Sequence, residues 1–185
     1  MSVLFINACF RKDSRTLRLA QTFLKGKESV TEVNLGEMEL PVLNKVNTEK
    51  YCNACATRDF SDAMFDYGRQ FAEAEEIVIA APFWNFSVPA QLHVYLELVC
   101  SQGTTFDIDA KGQYHSLCKA QRLTYITTAG GPLPEDDHAW GYIKDLAKNF
   151  WNIEELEYYK AEGLDIAGND VEAILAEVTN LIKEG

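Results

Sequence analysis

The sequence predicts an α/β fold, a doubly wound five-stranded parallel sheet with helices on both faces, and three observations carry that expectation. Short apolar runs alternate with amphipathic helical patterns, the β-α rhythm of parallel neighbours joined by crossover helices. No repeat, low-complexity tract or Pro/Ser-rich linker interrupts the alternation, so one domain over residues 1–185 is expected. At 47% hydrophobic and 24% charged residues, the chain has the composition to bury a sizeable core without staples.

The elements follow in order. Val3 to Asn7 reads as the first strand and Ser14 to Lys25 as the helix after it. Ser29 to Leu35 and then Asp59 to Ala74 repeat the pair, as do Glu76 to Ala81 and Pro89 to Gln102. Arg122 to Thr128 is the fourth buried strand, followed by a helix over His138 to Phe150. Leu156 to Ala161 is taken as the fifth strand on context, because the run from Glu154 to Lys160 has acceptable helix propensity as well. The last helix sets Val171, Ile174, Leu175, Val178, Leu181 and Ile182 on one face, with Asn169 and Glu172 spaced as a capping pair. Two stretches stand outside the alternation. They are Gly36 to Arg58, and Thr104 to Leu117, where Asp107 to Tyr114 predicts a hairpin. Long insertions beyond strand ends are places where sites gather.

Charge excludes some functions. Seventeen Lys and Arg against 28 Asp and Glu give a net charge of −11. A protein made for the phosphate backbone of nucleic acid needs the opposite balance, and an anionic membrane surface is disfavoured for the same reason. Met1 to Asn7 has no basic n-region, and its apolar run is too short for a signal peptide or a membrane span, which leads to the expectation of a cytoplasmic protein. Five cysteines, odd in number and irregularly spaced, make a poor disulfide framework and are expected reduced.

Against that acidic background, four of the 17 basic residues, Arg11, Lys12, Arg15 and Arg18, fall within eight positions just after the first strand. A loop leaving a strand and entering a helix offers free N–H groups and the positive end of the helix dipole, and Ser14 and Thr16 add hydroxyls. A phosphomonoester suits it; the plainer account makes Ser14 an N-cap and the basic residues a solvated face. Neither G-x-G-x-x-G nor the P-loop pattern is present. After the third strand, Pro82-Phe83-Trp84-Asn85-Phe86 places three aromatics and an amide where polar turn residues are expected. A flat, partly polar ring system would lie well there, although the same aromatics would also finish a core. After the fourth strand, Thr128-Ala129-Gly130-Gly131 lets backbone approach a ligand closely, or merely turns.

All three segments follow carboxyl ends of strands, where open α/β sheets bind ligands. One ligand touching them all needs a phosphate at one end and a planar heterocycle at the other, and FMN has that shape. Together with Ala161-Glu162-Gly163, these segments resemble the flavodoxin-like NAD(P)H quinone reductases, most closely the FMN-dependent NADH azoreductases, over most of the chain. The resemblance implies a flavodoxin-like fold in which Arg11, Ser14, Arg15 and Thr16 serve the FMN phosphate. Pro82, Phe83, Trp84, Asn85 and Phe86 then line the isoalloxazine, and Thr128, Ala129, Gly130 and Gly131 close on its ring and ribityl side. It implies hydride transfer from NAD(P)H to flavin N5 and onward to a quinone or azo compound, with no general base and no metal. FAD is an alternative flavin, and a homodimer is the expected assembly, with the insertion around Phe106 and Tyr114 and the helix from Pro89 as candidate contacts. The chain departs from the azoreductase branch at Trp84, where that branch has Tyr, and at Thr128-Ala129, where it has Ser-Arg.

Other residues that carry chemistry are weighed beside this. His115 and His138 stand on loop or helix-start positions within reach of proton donation, whereas His93 falls in a helix. Cys52-Asn53-Ala54-Cys55 is a C-x-x-C without a second metal-ligand pair, and Cys9 adjoins the basic loop. The rival functions are a flavodoxin-type electron carrier, a flavin reductase supplying another protein, and a redox sensor working through Cys52 and Cys55.

Overall fold

The computed structural model describes residues 1–185 and has a five-stranded, wholly parallel sheet at its centre. Its strands are β1 (Val3–Asn7), β2 (Val30–Asn34), β3 (Glu76–Ala80), β6 (Arg122–Thr128) and β7 (Glu155–Ala161), in the spatial order β2-β1-β3-β6-β7. β4 (Phe106–Ile108) and β5 (Tyr114–Ser116) form a separate antiparallel pair, the hairpin expected from the sequence. The helices are α1 (Arg15–Leu24), α2 (Lys45–Thr57), α3 (Asp66–Glu73), α4 (Ala90–Val99), α5 (His138–Asn149) and α6 (Val171–Glu184).

β1 and β3 are buried at every position, and apart from Asn7 and Glu76 their residues are apolar on both faces. Their side chains alternate between two cores. Leu4, Ile6, Ile77 and Ile79 pack with Phe71 of α3, Leu92 and Leu96 of α4 and Ile143 of α5. Val3, Phe5, Val78 and Ala80 pack on the other side with Leu19 of α1 and Leu175, Val178 and Ile182 of α6. Each such aliphatic side chain removed from water contributes about 1.5–3 kcal/mol, which makes this double wrapping the main source of stability. Glu76, buried at the start of β3, is met by the Lys27 ammonium at 2.8 and 2.9 Å.

Four expectations need correction. α2 lies in the stretch from Gly36 to Arg58 that periodicity left without an element, and Ala54 is its one buried residue. The helix expected over Asp59 to Ala74 begins only at Asp66, because the Asp62 carboxylate accepts from Met64 N and caps a short 3-10 turn instead. At α6 the N-cap is Asp170, accepting from Ala173 N, while Asn169 turns away to donate to the Gly163 carbonyl. Leu181, assigned to the apolar face of that helix, is exposed.

The fifth strand is present at the sheet edge, in register with β6 from Arg122 opposite Glu155 to Thr128 opposite Ala161. Pairing with a strand already in the sheet decides its conformation over its helix propensity. No helix is long and apolar enough to cross a membrane.

Candidate functional site

At the carboxyl end of the sheet, hydrogen bonding continues past the strands and fixes where each loop starts. Ala8 N donates to Ala80 O at 2.9 Å, Phe83 N to Thr128 O at 3.0 Å, and Ala129 N to Ala161 O at 2.9 Å. The loop after β1 is turned by Asn7, whose Oδ1 accepts from Cys9 N at 2.9 Å while its Nδ2 donates to Glu32 at 2.8 Å. Between these loops lies a cavity of about 280 Å³. It brings together Arg11, Ser14, Arg15 and Thr16, then Pro82, Phe83 and Trp84, then Thr128, Ala129 and Gly130.

Its basic end is the N-terminus of α1. Ser14 is the N-cap, accepting from Leu17 N at 3.2 Å, so the plain reading of that residue holds. The N–H groups of Arg15 and Thr16 at the first helical positions have no carbonyl within the helix to meet, and with the helix dipole they make this end electropositive. Thr16 Oγ1 is buried and sits 2.7 Å from Thr128 Oγ1, locking the helix start to the end of β6. Arg15 reaches across the cavity to Asp165 Oδ1 at 2.9 Å and the Leu164 carbonyl at 3.4 Å. Arg11 is exposed at the rim, and Arg18 is committed elsewhere, in a two-pronged pair with Glu172 of α6.

The aromatic end is built on a turn. Trp84 and Ser87 exchange two hydrogen bonds of 2.9 Å, and the residues between them, Asn85 at φ 51° and Phe86 at φ 63°, are both left-handed. That is a type I′ turn, which suits Asn and strains Phe. His93 of α4 buttresses it with Nε2 3.0 Å from Ser87 Oγ. Phe10 packs on Trp84 with centroids 6.0 Å apart, and Phe83 meets Phe86 edge-on at 6.1 Å.

Three nominated residues, Asn85, Phe86 and Gly131, fall outside the cavity wall, and Phe86 is 70% exposed at the lip. Four others line the cavity that sequence reasoning missed: Phe10, Asp13, Leu164 and Asp165. The last two follow β7. Their amides donate to Ala129 O and Gly130 O at 3.1 and 2.9 Å, so the post-β7 segment forms a wall, and Ala161-Glu162-Gly163 was its sequence signal. At Gly130 a Cβ would meet the Asp165 carboxylate, which would have to shift to admit it.

Titratable groups here are few. The Cys9 thiol, buried behind the basic loop, is pushed up to about 11 by burial and stays protonated. His115 is tied to Asp109 in the hairpin and His138 is exposed at the start of α5, so neither lines the cavity.

A family model described as Flavodoxin-like fold matches residues 1–184. The chain belongs to this family. Within this flavodoxin-like family, it is 30% identical over 186 residues to a Coprothermobacter proteolyticus protein named FMN-dependent NADH:quinone oxidoreductase, with 94% of this chain and 89% of that one covered. It is 37% identical over 123 residues to a Clostridium acetobutylicum protein named FMN-dependent NADH:quinone oxidoreductase 2, a match that spans 64% of this chain and 60% of the relative. Among solved structures, the azoreductase from Bacillus anthracis superposes with a TM-score of 0.84 over the whole of both chains at 23% identity, a likeness of fold.

Proposed function

We propose that this flavodoxin-like protein is an FMN-dependent NAD(P)H oxidoreductase, one domain over residues 1–185, that reduces quinones or azo compounds. The observation that carries the reading is that one cavity at the carboxyl ends of β1, β3 and β6 has the basic start of α1 at one end and an aromatic turn at the other. The names of the relatives, FMN-dependent NADH:quinone oxidoreductases, agree with it.

The residues present fit the cofactor. The amides of Arg15 and Thr16, with Ser14, Arg15 and Arg11, meet a phosphate, and Gly130 leaves backbone room where a side chain would fill the cradle. Pro82 to Trp84 offer a flat apolar wall to a ring system, with Asn85 and Phe86 at its lip. When bound, FMN supplies the hydride-accepting atom that links a nicotinamide donor to the acceptor. The chain's part is to orient and to exclude water. Arg11, Asp13, Arg15 and Asp165 are the ionisable side chains lining the cavity, and no histidine lines it.

The reading includes a homodimer and a cytoplasmic setting. In support of the first, Phe86 at the cavity lip and Ile108, Tyr114 and Leu117 of the hairpin are exposed apolar side chains that a second copy would cover. Phe106, nominated for that contact, is itself buried against Phe150, with rings stacked at 4.4 Å. In support of the second, all five cysteines are free thiols, which suits a reducing compartment.

The test is an anaerobic absorption experiment on protein loaded with FMN and freed of excess. Bleaching of the retained flavin by NADH or NADPH alone, and its return on adding a quinone, is the expected result. Flavin that stays oxidised with either nucleotide points to an electron carrier served by another reductase, and a protein that retains no flavin removes the reading.

A further inference from the structure

Cys52 and Cys55 stand one turn apart on α2 and take no part in the cavity at the sheet end. Cys52 is exposed, Cys55 is half-buried, and both are free thiols. The Cys55 thiol lies against the Tyr51 hydroxyl, which donates to the Cys100 carbonyl at the end of α4 at 2.9 Å. Cys52 is near enough that its charge, with burial the larger cause, pushes the Cys55 thiol up.

The helix that carries them is loosely held. Ala54 is the one buried residue of the 13 in α2, and the helix stops two residues beyond Cys55, where Arg58 turns left-handed at φ 59°. Residues three apart on an α-helix have Cβ atoms about 5–6 Å apart. A disulfide needs roughly 3.5–4.5 Å, with Cα atoms within about 4.4–6.8 Å, a window that a helical turn already satisfies. Closing that gap takes a local opening of the last turn, and helix ends fray. With so little of α2 packed, few contacts oppose the change.

We propose that Cys52 and Cys55 are a dithiol that a hydroperoxide oxidises to a disulfide across the last turn of α2. The exposed Cys52 sulfur attacks one peroxide oxygen, the O–O bond breaks, and Cys52 becomes a sulfenic acid while the other oxygen leaves as water. The Cys55 sulfur then attacks the Cys52 sulfur and the S–OH bond breaks. The hydroxyl departs as a second water with the Cys55 proton. Two thiols give up two electrons and one hydrogen peroxide takes them. The remaining thiols are shielded: burial pushes Cys100 and Cys118 up to about 12 and Cys9 to about 11.

The test treats the intact protein with stoichiometric hydrogen peroxide, alkylates remaining thiols and maps peptides by mass. A loss of two hydrogen masses confined to the peptide holding Cys52 and Cys55, restored by dithiothreitol, is expected. Cys55→Ser should stop the chemistry at a dimedone-reactive sulfenic acid on Cys52, and Cys100→Ser or Cys118→Ser should leave the bridge intact. A bridge between Cys100 and Cys118, a bridge between two chains, or persistent free thiols at Cys52 and Cys55 overturns the proposal. None of these readouts depends on flavin, so they stand apart from the assignment of the reductase.

Discussion

Thr16 at the start of α1 and Thr128 at the end of β6 hold their hydroxyls 2.7 Å apart, both buried, although 112 residues separate them in the chain. This contact joins the basic end of the cavity to the glycine-bearing loop opposite. One hydroxyl donates and the other accepts, so removing either leaves its partner buried without a bond. Thr16→Val and Thr128→Val should each lower stability by about 1–3 kcal/mol, and the double variant should recover part of the loss, since two matched apolar groups leave nothing unsatisfied. Urea unfolding of the four proteins of the cycle measures the coupling.

Arg15 and Asp165 predict effects of opposite sign on flavin binding. Arg15→Ala removes a charge-assisted contact worth about 1.5–3 kcal/mol, which is roughly tenfold to a hundredfold in Kd. Asp165→Asn removes a carboxylate that holds the same guanidinium at 2.9 Å and repels a phosphate, so FMN should bind more tightly, and less so at high salt. Both side chains of this pair are substantially exposed, so folding stability should move little in either variant. Fluorescence titration with FMN at two salt concentrations decides it. Weaker binding by Asp165→Asn would show that the carboxylate positions Arg15 instead of competing for it.

Phe86 sits left-handed at φ 63° with 70% of its surface exposed, a costly arrangement that its edge-on contact with Phe83 repays only in part within this chain. A non-glycine residue held there costs of order 1–3 kcal/mol. Phe86→Gly should therefore raise thermal stability by about 1 kcal/mol, after the added chain entropy of glycine. Quinone reduction should fall through a higher KM, because the ring at the lip is lost. A stabilised variant with unchanged KM would assign Phe86 no contact with substrate.

What the sequence made legible follows from how each signal is encoded. β1, β3 and β6 are buried by their own apolar runs, and the three loops that follow them meet because parallel strands deliver their carboxyl ends to one edge. α2 escaped notice because a helix with one buried residue leaves no apolar period, although Asn44, which accepts from Val46 and Asn47, was a readable cap. Asp165 was illegible for another reason. Its partner Arg15 lies 150 residues away, and nothing local to either residue announces the pairing. The left-handed turn at Asn85 and Phe86 was hidden by the Phe, a residue that turn rules disfavour.

Lys27 and Glu76 form the buried ion pair of the fold, with the carboxylate side chain 3% exposed. Losing one partner is far worse than losing both, because an unpaired charge then remains out of water. Lys27→Met should destabilise by about 3–5 kcal/mol, and adding Glu76→Gln should restore much of it. Chemical denaturation gives the comparison. A single variant that costs less than the double one would mean that the pair itself, and not the desolvated charge, dominates.

Asp107 supplies the acid response of the hairpin. The Arg58 guanidinium at 2.9 Å, the Gln102 amide at 3.1 Å and the Ile108 N–H hold its carboxyl down at about 2. A carboxylate whose folded value lies below its unfolded value of about 3.9 stabilises the fold above that value. The contribution is lost as the pH falls from about 4 towards 2. Amide protection across β4 and β5, measured against the intrinsic exchange rate at each pH, should therefore fall over that interval in the native protein, as the hairpin loosens from the end of α2. Asp107→Asn should exchange faster at neutral pH and show no further acid step between those limits. An acid step of equal size in that variant would assign the titration to another group.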